Sequence, residues 1–314
     1  MRLRHHRLIS CLFAIFILFF SLPPSSRAGD AIDFGYVNWP GVTVKTQVAA
    51  QILDAMGYPT KLKMVALPVL LRSMANEDLD VFVGAWVPTM SGLIGPYRKQ
   101  GKIVEVATNL DETIYTLAVP KYVWDAGVKS HADLEKFGDK FGRKIIGIEP
   151  GNDGNQIVLD AIASNTYNLG KWKLVEGSAE AMMIAVNAAI KKGEWIVWLG
   201  WMPHWMNLVY DMKYLEDPEG IWGTDEEVVK TLVRSGLPQE SPEVVQFLRQ
   251  FKVTPDIQNE WILKYSYEKG KPEKVAHDWI ASHLGIVDQW VYGVKAADGR
   301  RGRSAVREAF SQAR

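Results

Sequence analysis

The order of elements in these 314 residues predicts an α/β protein of two lobes, each a mostly parallel sheet flanked by helices. Three observations carry that expectation. Segments of helical period alternate with short strand-like runs, and the chain is long enough for two domains of roughly 100–200 residues. Tryptophan, of which there are 12, closes several of the strand-like runs. In open α/β sheets ligands bind beyond the carboxyl ends of strands, so aromatic residues at those ends are the first candidates for a site.

The first 28 residues stand apart from the fold. Arg2, Arg4 and Arg7 precede an apolar run from Leu12 to Leu22, and Ser26-Arg27-Ala28 follows with small residues at the expected cleavage positions. The run is shorter than the ~20 residues that span a bilayer, so it reads as a signal peptide cleaved near Ala28, which implies a periplasmic protein. Cys11, the single cysteine, lies ahead of the apolar run; that placement argues against a lipoprotein and leaves the mature chain without disulfides. The chain has 36 basic and 36 acidic residues, and loss of Arg2, Arg4, Arg7 and Arg27 leaves 32 against 36, a net charge of −4. That balance argues against a nucleic-acid binder. The arginine cluster Arg300, Arg301, Arg303, Arg307 and Arg314 reads as a solvated tail.

Residues Ile32 to Asn38 alternate as a first strand, which Trp39-Pro40-Gly41 breaks. Val44, Val48, Ile52 and Met56 then recur every fourth residue, the mark of a helix, and Gly57 stops it. Trp39 thus falls between a strand and a helix N-terminus. A strand over Lys61 to Leu67 and a helix near Pro68 to Asn76 lead to Leu79 through Trp86, a strand that ends in tryptophan ahead of Pro88. Tyr115 to Pro120 is a short strand crossing from one lobe to the other. Lys144 to Glu149 is a strand, and Pro150 to Asn155 is a tight loop leading into a helix at Ile157 to Ala163. Asn152 at the loop's tip either offers hydrogen bonds to a ligand or caps that helix.

Trp195, Trp198, Trp201 and Trp205 then fall in a run punctuated by Gly200, Pro203 and His204. On spacing alone a buried strand and a core helix with a tryptophan stripe fit equally. Because Trp39 and Trp86 already fall at strand ends, the strand is favoured, with Trp201 at its mouth. Beyond it the chain reads as helical. Thr224 with Glu227 suggests a capping box for a helix that Gly236 closes, and Ser241-Pro242-Glu243 opens another. Further helices are expected near Asp256 to Tyr267 and Pro272 to Leu284, with Trp261 and Trp279 in the core.

Aromatic faces gathered at one cleft without a matching set of carboxylates suit a cation that cannot donate a hydrogen bond. A quaternary ammonium is such a cation, attracted by each ring quadrupole at about 0.5–2 kcal/mol. Core lids and platforms for sugar rings are the competing uses of such rings. Four segments, Asp80 to Met90, Tyr115 to Pro120, Gly147 to Asn155 and Leu199 to His204, together resemble the substrate-binding proteins of glycine betaine and choline ABC importers. The similarity runs over nearly all of the mature chain. It implies a two-lobed periplasmic binding protein fold, type II-like, that closes on its ligand between the lobes. Residues 29–112 and 208–314 are then expected in one lobe and 113–207 in the other. By position, the resemblance implies an aromatic box of Trp39, Trp86, Tyr115 and Trp201. As partners it implies an inner-membrane permease with a cytoplasmic ATPase. The chain has no Walker-type loop of its own, and no cofactor, metal or oligomer is expected.

One departure bears on the ligand. Choline-binding members of the family resembled carry an aspartate two residues after the first box tryptophan, where this chain has Gly41. Without that acid, the amides of Gly41 and Val42 at a helix N-terminus are free to take an anion. The resemblance implies His204 as a second donor, since betaine-binding relatives place a Pro-His pair after the last box tryptophan. A zwitterion such as glycine betaine is therefore favoured over choline, with carnitine and proline betaine left open. A choline-ester hydrolase is a competing class, but the mature chain has no cysteine and neither Gly-x-Ser-x-Gly nor His-Glu-x-x-His, so an enzyme is not expected. A sugar-binding module would want more polar side chains beside its rings.

Overall fold

The structure, a computed structural model, describes residues 31–223 and 225–311. The expected signal peptide, Thr224 and Arg314 lie outside the described residues. The chain lays down β1 (Ile32–Tyr36), β2 (Thr60–Met64), β3 (Val81–Val87) and β4 (Ile103–Leu110) before it crosses to β5 (Ile114–Pro120). In the second lobe follow β6 (Lys144–Ile146), β7 (Lys173–Val175), β8 (Trp198–Met202) and β9 (Met212–Tyr214), and β10 (Val228–Arg234) returns to the first. The two five-stranded sheets have the orders β2-β1-β3-β10-β4 and β7-β6-β8-β5-β9.

Both sheets are mixed, which corrects the expectation of mostly parallel ones. β1 runs parallel to β2 and β3, and β6 runs parallel to β7 and β8. β10 is antiparallel to β3 and β4, and β5 is antiparallel to β8 and β9. The cause is connectivity: β5 and β10 are the strands that cross between lobes, and each enters its new sheet against the run of its neighbours.

Two boundaries differ from expectation for related reasons. β9 pairs with β5, and the Leu215 amide donates to the Leu117 carbonyl at 2.8 Å, so the second lobe continues past residue 207. The helix expected from Glu227 to Gly236 is instead the strand β10, whose Val228, Val229, Thr231 and Val233 are β-branched and favour a pleated conformation. Glu227 caps nothing; its carboxylate accepts from the Thr89 hydroxyl at 2.7 Å. Gly236 precedes a short helix, Leu237–Glu240, rather than closing a long one. The arginines from Arg300 to Arg307 likewise form no loose tail, because residues Gly302–Ser311 form a helix that buries Ala305, Val306 and Phe310. Its Arg307 pairs with Asp288 at the surface, where such pairs are worth about 0–1 kcal/mol, so the apolar face docks the helix.

Helix α1 (Pro40–Ala55) follows the pattern read from its sequence, with Pro40 in the first turn and Val44, Val48 and Ile52 fully buried. It is buried nearly all round, since β3 and the helices Pro255–Ile262 and Pro272–Ser282 pack against it. Trp261 and Trp279 meet edge to face with centroids 5.0 Å apart in this first core. A separate core around Leu117, Ile145, Val186 and Trp198 supports the second lobe. Large buried side chains of this kind are worth roughly 1.5–3 kcal/mol each, so each lobe carries its own stabilisation.

Candidate functional site

Trp39, just past β1, and Trp86 and Trp201, near the ends of β3 and β8, line one cavity. Tyr115 from β5 joins them, so both lobes contribute rings. The Tyr115 ring lies 5.7 Å from Trp86 and 6.1 Å from Trp201, the latter edge to face. Behind it, the buried Trp222 packs at 5.2 Å, a supporting residue that the sequence reading missed.

The loop after β6 holds Tyr115 in place. The Tyr115 hydroxyl donates to Asn152 Oδ1 at 3.0 Å. The same oxygen accepts from the amides of Gly154 and Asn155 at 2.8 and 3.2 Å, capping the helix Asp153–Ala163. Asn152 therefore caps the helix, as one of its two readings required, and it also lines the cavity. Gly154 is needed for the close approach, because a Cβ there would lie 2.2 Å from the tyrosine oxygen.

Trp39 is held from the opposite lobe. Its indole N–H donates to Glu149 Oε1 at 2.8 Å. Burial raises the Glu149 carboxyl above its ordinary range, and the indole N–H works against that shift. Two more bonds cross between the lobes, from Asn38 to Glu180 at 3.4 Å and from the Trp205 indole to Ser266 Oγ at 3.1 Å.

Gly41 and Val42 also line the cavity, at the second and third residues of α1. No side chain caps this helix, and the first intrahelical amide bond runs from Thr43 to the Trp39 carbonyl, so the two earlier N–H groups have no partner within the helix. A Cβ on Gly41 would lie 2.7 Å from Gln258 Nε2, so Gln258 fills the place where another residue's side chain would stand. His204 is arranged otherwise than expected. It packs against the Trp201 ring at 4.9 Å, its Nδ1 accepts from the Met206 amide at 3.2 Å, and it is not among the residues lining the cavity. Burial lowers its pKa to about 3, so it is a neutral buttress behind Trp201.

Three polar residues of the cavity were not singled out from sequence: Lys45, Asp153 and Gln258. Asp153 Oδ1 accepts from Asn152 at 2.8 Å, while Oδ2 is buried without a hydrogen bond. Burial, with Glu227 and Glu149 adding repulsion, raises the Asp153 carboxyl to about 7. Burial alone lowers the Lys45 amine to about 7. The position of Lys45, one turn after Gly41 and beside Val44, was the available signal; the apolar repeat of α1 masked it. Among the described residues no group of three His, Cys, Asp or Glu could hold a metal ion, and no helix is long and apolar enough to cross a membrane.

Two lobes with separate cores and an aromatic hollow between them define a two-lobed ligand-binding protein. Comparison with known proteins makes the assignment specific. Residues 30–282 match the family model described as the substrate-binding domain of the ABC-type glycine betaine transport system. The chain belongs to that family and is a betaine/choline substrate-binding protein of an ABC transporter. It is similar to an ABC-transporter choline-binding protein solved in complex with choline, at 36% identity and a TM-score of 0.87 over 89% of this chain and 98% of that one. It is similar to lactococcal OpuAC in its closed form with glycine betaine, at 33% identity and a TM-score of 0.76 over 83% and 99% of the two chains. It also matches the glycine betaine/carnitine transport binding protein GbuC of Listeria monocytogenes, serotype 1/2a (strain 10403S), at 32% identity over 52% of this chain and 53% of that protein. Members of the family are transport components rather than enzymes.

Proposed function

We propose that the cavity binds a zwitterionic quaternary ammonium compound, glycine betaine foremost, in a box of Trp39, Trp86, Tyr115 and Trp201. The observation that carries this reading is the convergence of these four rings, from both lobes, on one cavity. Ring faces attract a methylated ammonium without needing a hydrogen bond from it. The partnerless N–H groups of Gly41 and Val42 at the positive end of α1 suit a carboxylate at the ligand's other end. The protein acts after export to the periplasm, as a monomer without catalytic activity, and hands its ligand to an inner-membrane permease driven by a cytoplasmic ATPase. Closure follows because the ligand touches both lobes at once only when they meet.

Choline is the second reading, and one observation favours it: Asp153 Oδ2 is a buried acceptor without a partner that lines the cavity, suited to a hydroxyl donor. Isothermal titration with glycine betaine, choline, carnitine and proline betaine ranks the ligands. In the same assay Trp201→Ala should weaken binding of the preferred ligand by about tenfold or more, since both cation–π and packing contributions go and ~1.4 kcal/mol is a factor of ten. Undiminished affinity would remove Trp201 from the box.

A further inference from the structure

Building on the zwitterion reading, we propose that Lys45 joins the Gly41 and Val42 N–H groups in recognising the ligand's carboxylate, and that it selects zwitterionic over purely cationic quaternary amines. Lys45 lies four residues after Gly41, one turn along α1 and on the same face. It is 1% exposed and lines the cavity together with Gly41 and Gln258. Its ammonium donates to Asn109 Oδ1 at 2.7 Å. The Asn109 amide nitrogen is itself held by the Val83 carbonyl at 3.1 Å and by Thr231 Oγ1 at 2.9 Å, which fixes the oxygen toward Lys45. A neutral carbonyl thus takes one of three ammonium donors.

No carboxylate among the described residues pairs with Lys45, and burial holds its amine down to about 7. A buried ammonium without a counter-ion weakens a fold, and a purely packing role would be filled as well by leucine or methionine. A ligand carboxylate supplies the missing charge and takes the remaining donors. The glycine at 41 leaves that face, one turn before Lys45, to the Gln258 amide, which is uncharged. Asp153, the other ionisable group of opposite sign in the cavity, lies by Tyr115, whose hydroxyl is kept from ionising by burial first and then by the Asp153 charge, and so belongs with the rings that take the ammonium. Choline brings a cation and no anion, so it sets a second positive charge in the cavity with Lys45.

The test is isothermal titration of the wild type and Lys45→Met with glycine betaine, choline and trimethylglycinamide, which keeps the trimethylammonium head but has an uncharged end. The wild type should prefer glycine betaine to its amide by about tenfold or more, and Lys45→Met should reduce that preference to within about threefold, while choline binds as well or better. Choline binding doubles as the check that the variant is folded. Asn109→Asp gives Lys45 an internal counter-ion and should erase the preference in the same way, whether or not the methionine variant folds. Equal wild-type affinity for glycine betaine and its amide overturns the role of Lys45 and leaves the aromatic box standing. So does a preference that survives in the variants. A wild type that binds none of the three ligands overturns the quaternary ammonium reading instead.

Discussion

Ser266→Ala is expected to weaken every ligand by the same factor, because the bond it removes belongs to lobe closure and not to ligand contact. Ser266 sits in the turn Leu263–Tyr267 of the first lobe, and its Oγ accepts from the Trp205 indole of the second lobe at 3.1 Å. Both residues are half-buried, and neither lines the cavity. With the lobes apart, each group would bond to water, so the net gain on closure is that of an ordinary neutral hydrogen bond, about 0.5–1.5 kcal/mol. Lost from the closed form alone, that energy lowers the apparent association constant by roughly two- to twelve-fold, since affinity carries the cost of populating the closed form. The Tyr267 ring, 5.5 Å from Trp205, stays in place and limits the loss to the hydrogen bond. Titration calorimetry of the variant with glycine betaine and with choline measures both factors. Unchanged affinity for both ligands would show that the bond persists with the lobes apart, and unequal factors would show that Ser266 acts on the ligand itself; either refutes the reasoning.

The pH dependence of the ligand-free protein should carry the mark of Asp153. Burial raises this carboxyl to about 7 from an ordinary 3.8, so across that interval the folded chain holds a proton that the unfolded chain has lost, and stability falls as pH rises. The buried His204, lowered from 6.5 to about 3, works the other way, and its contribution is lost as pH falls below 6.5. Comparing thermal unfolding of Asp153→Asn with the wild type isolates the first effect: the wild type should be favoured most near pH 4 and lose that advantage by pH 7 to 8, and parallel curves would count against it. Separately, an acid at position 41 should turn preference toward choline only once Gln258, whose Nε2 would lie 2.7 Å from the new Cβ, has made room. Gly41→Asp combined with Gln258→Ala should therefore shift the choline to glycine betaine affinity ratio further than Gly41→Asp alone. Equal ratios in the two variants would show that Gln258 does not stand in the way.

What could be read from the sequence was local, and what could not depended on partners distant in the chain. A tryptophan beside Pro40 or ahead of Pro88 marks the end of a run wherever that run packs, so Trp39, Trp86 and Trp201 were legible and the structure brings them to one cavity. The direction of β5 and β10 depends on which sheet each joins after crossing between lobes, and no neighbouring residue records that choice. Glu227 misled because its spacing from Thr224 imitates a capping box, while its actual partner, Thr89, is 138 residues away. Lys45 is the sharpest case. A lysine between Val44 and Thr46 reads as solvated when α1 has one apolar face, and it becomes a buried charge only because helices formed by residues 255–282 cover the helix's other side. Sequence patterns therefore located the rings that attract a cation and the helix N-terminus that suits an anion, whereas the buried charge of Lys45 emerged only from packing between segments about 200 residues apart in the chain.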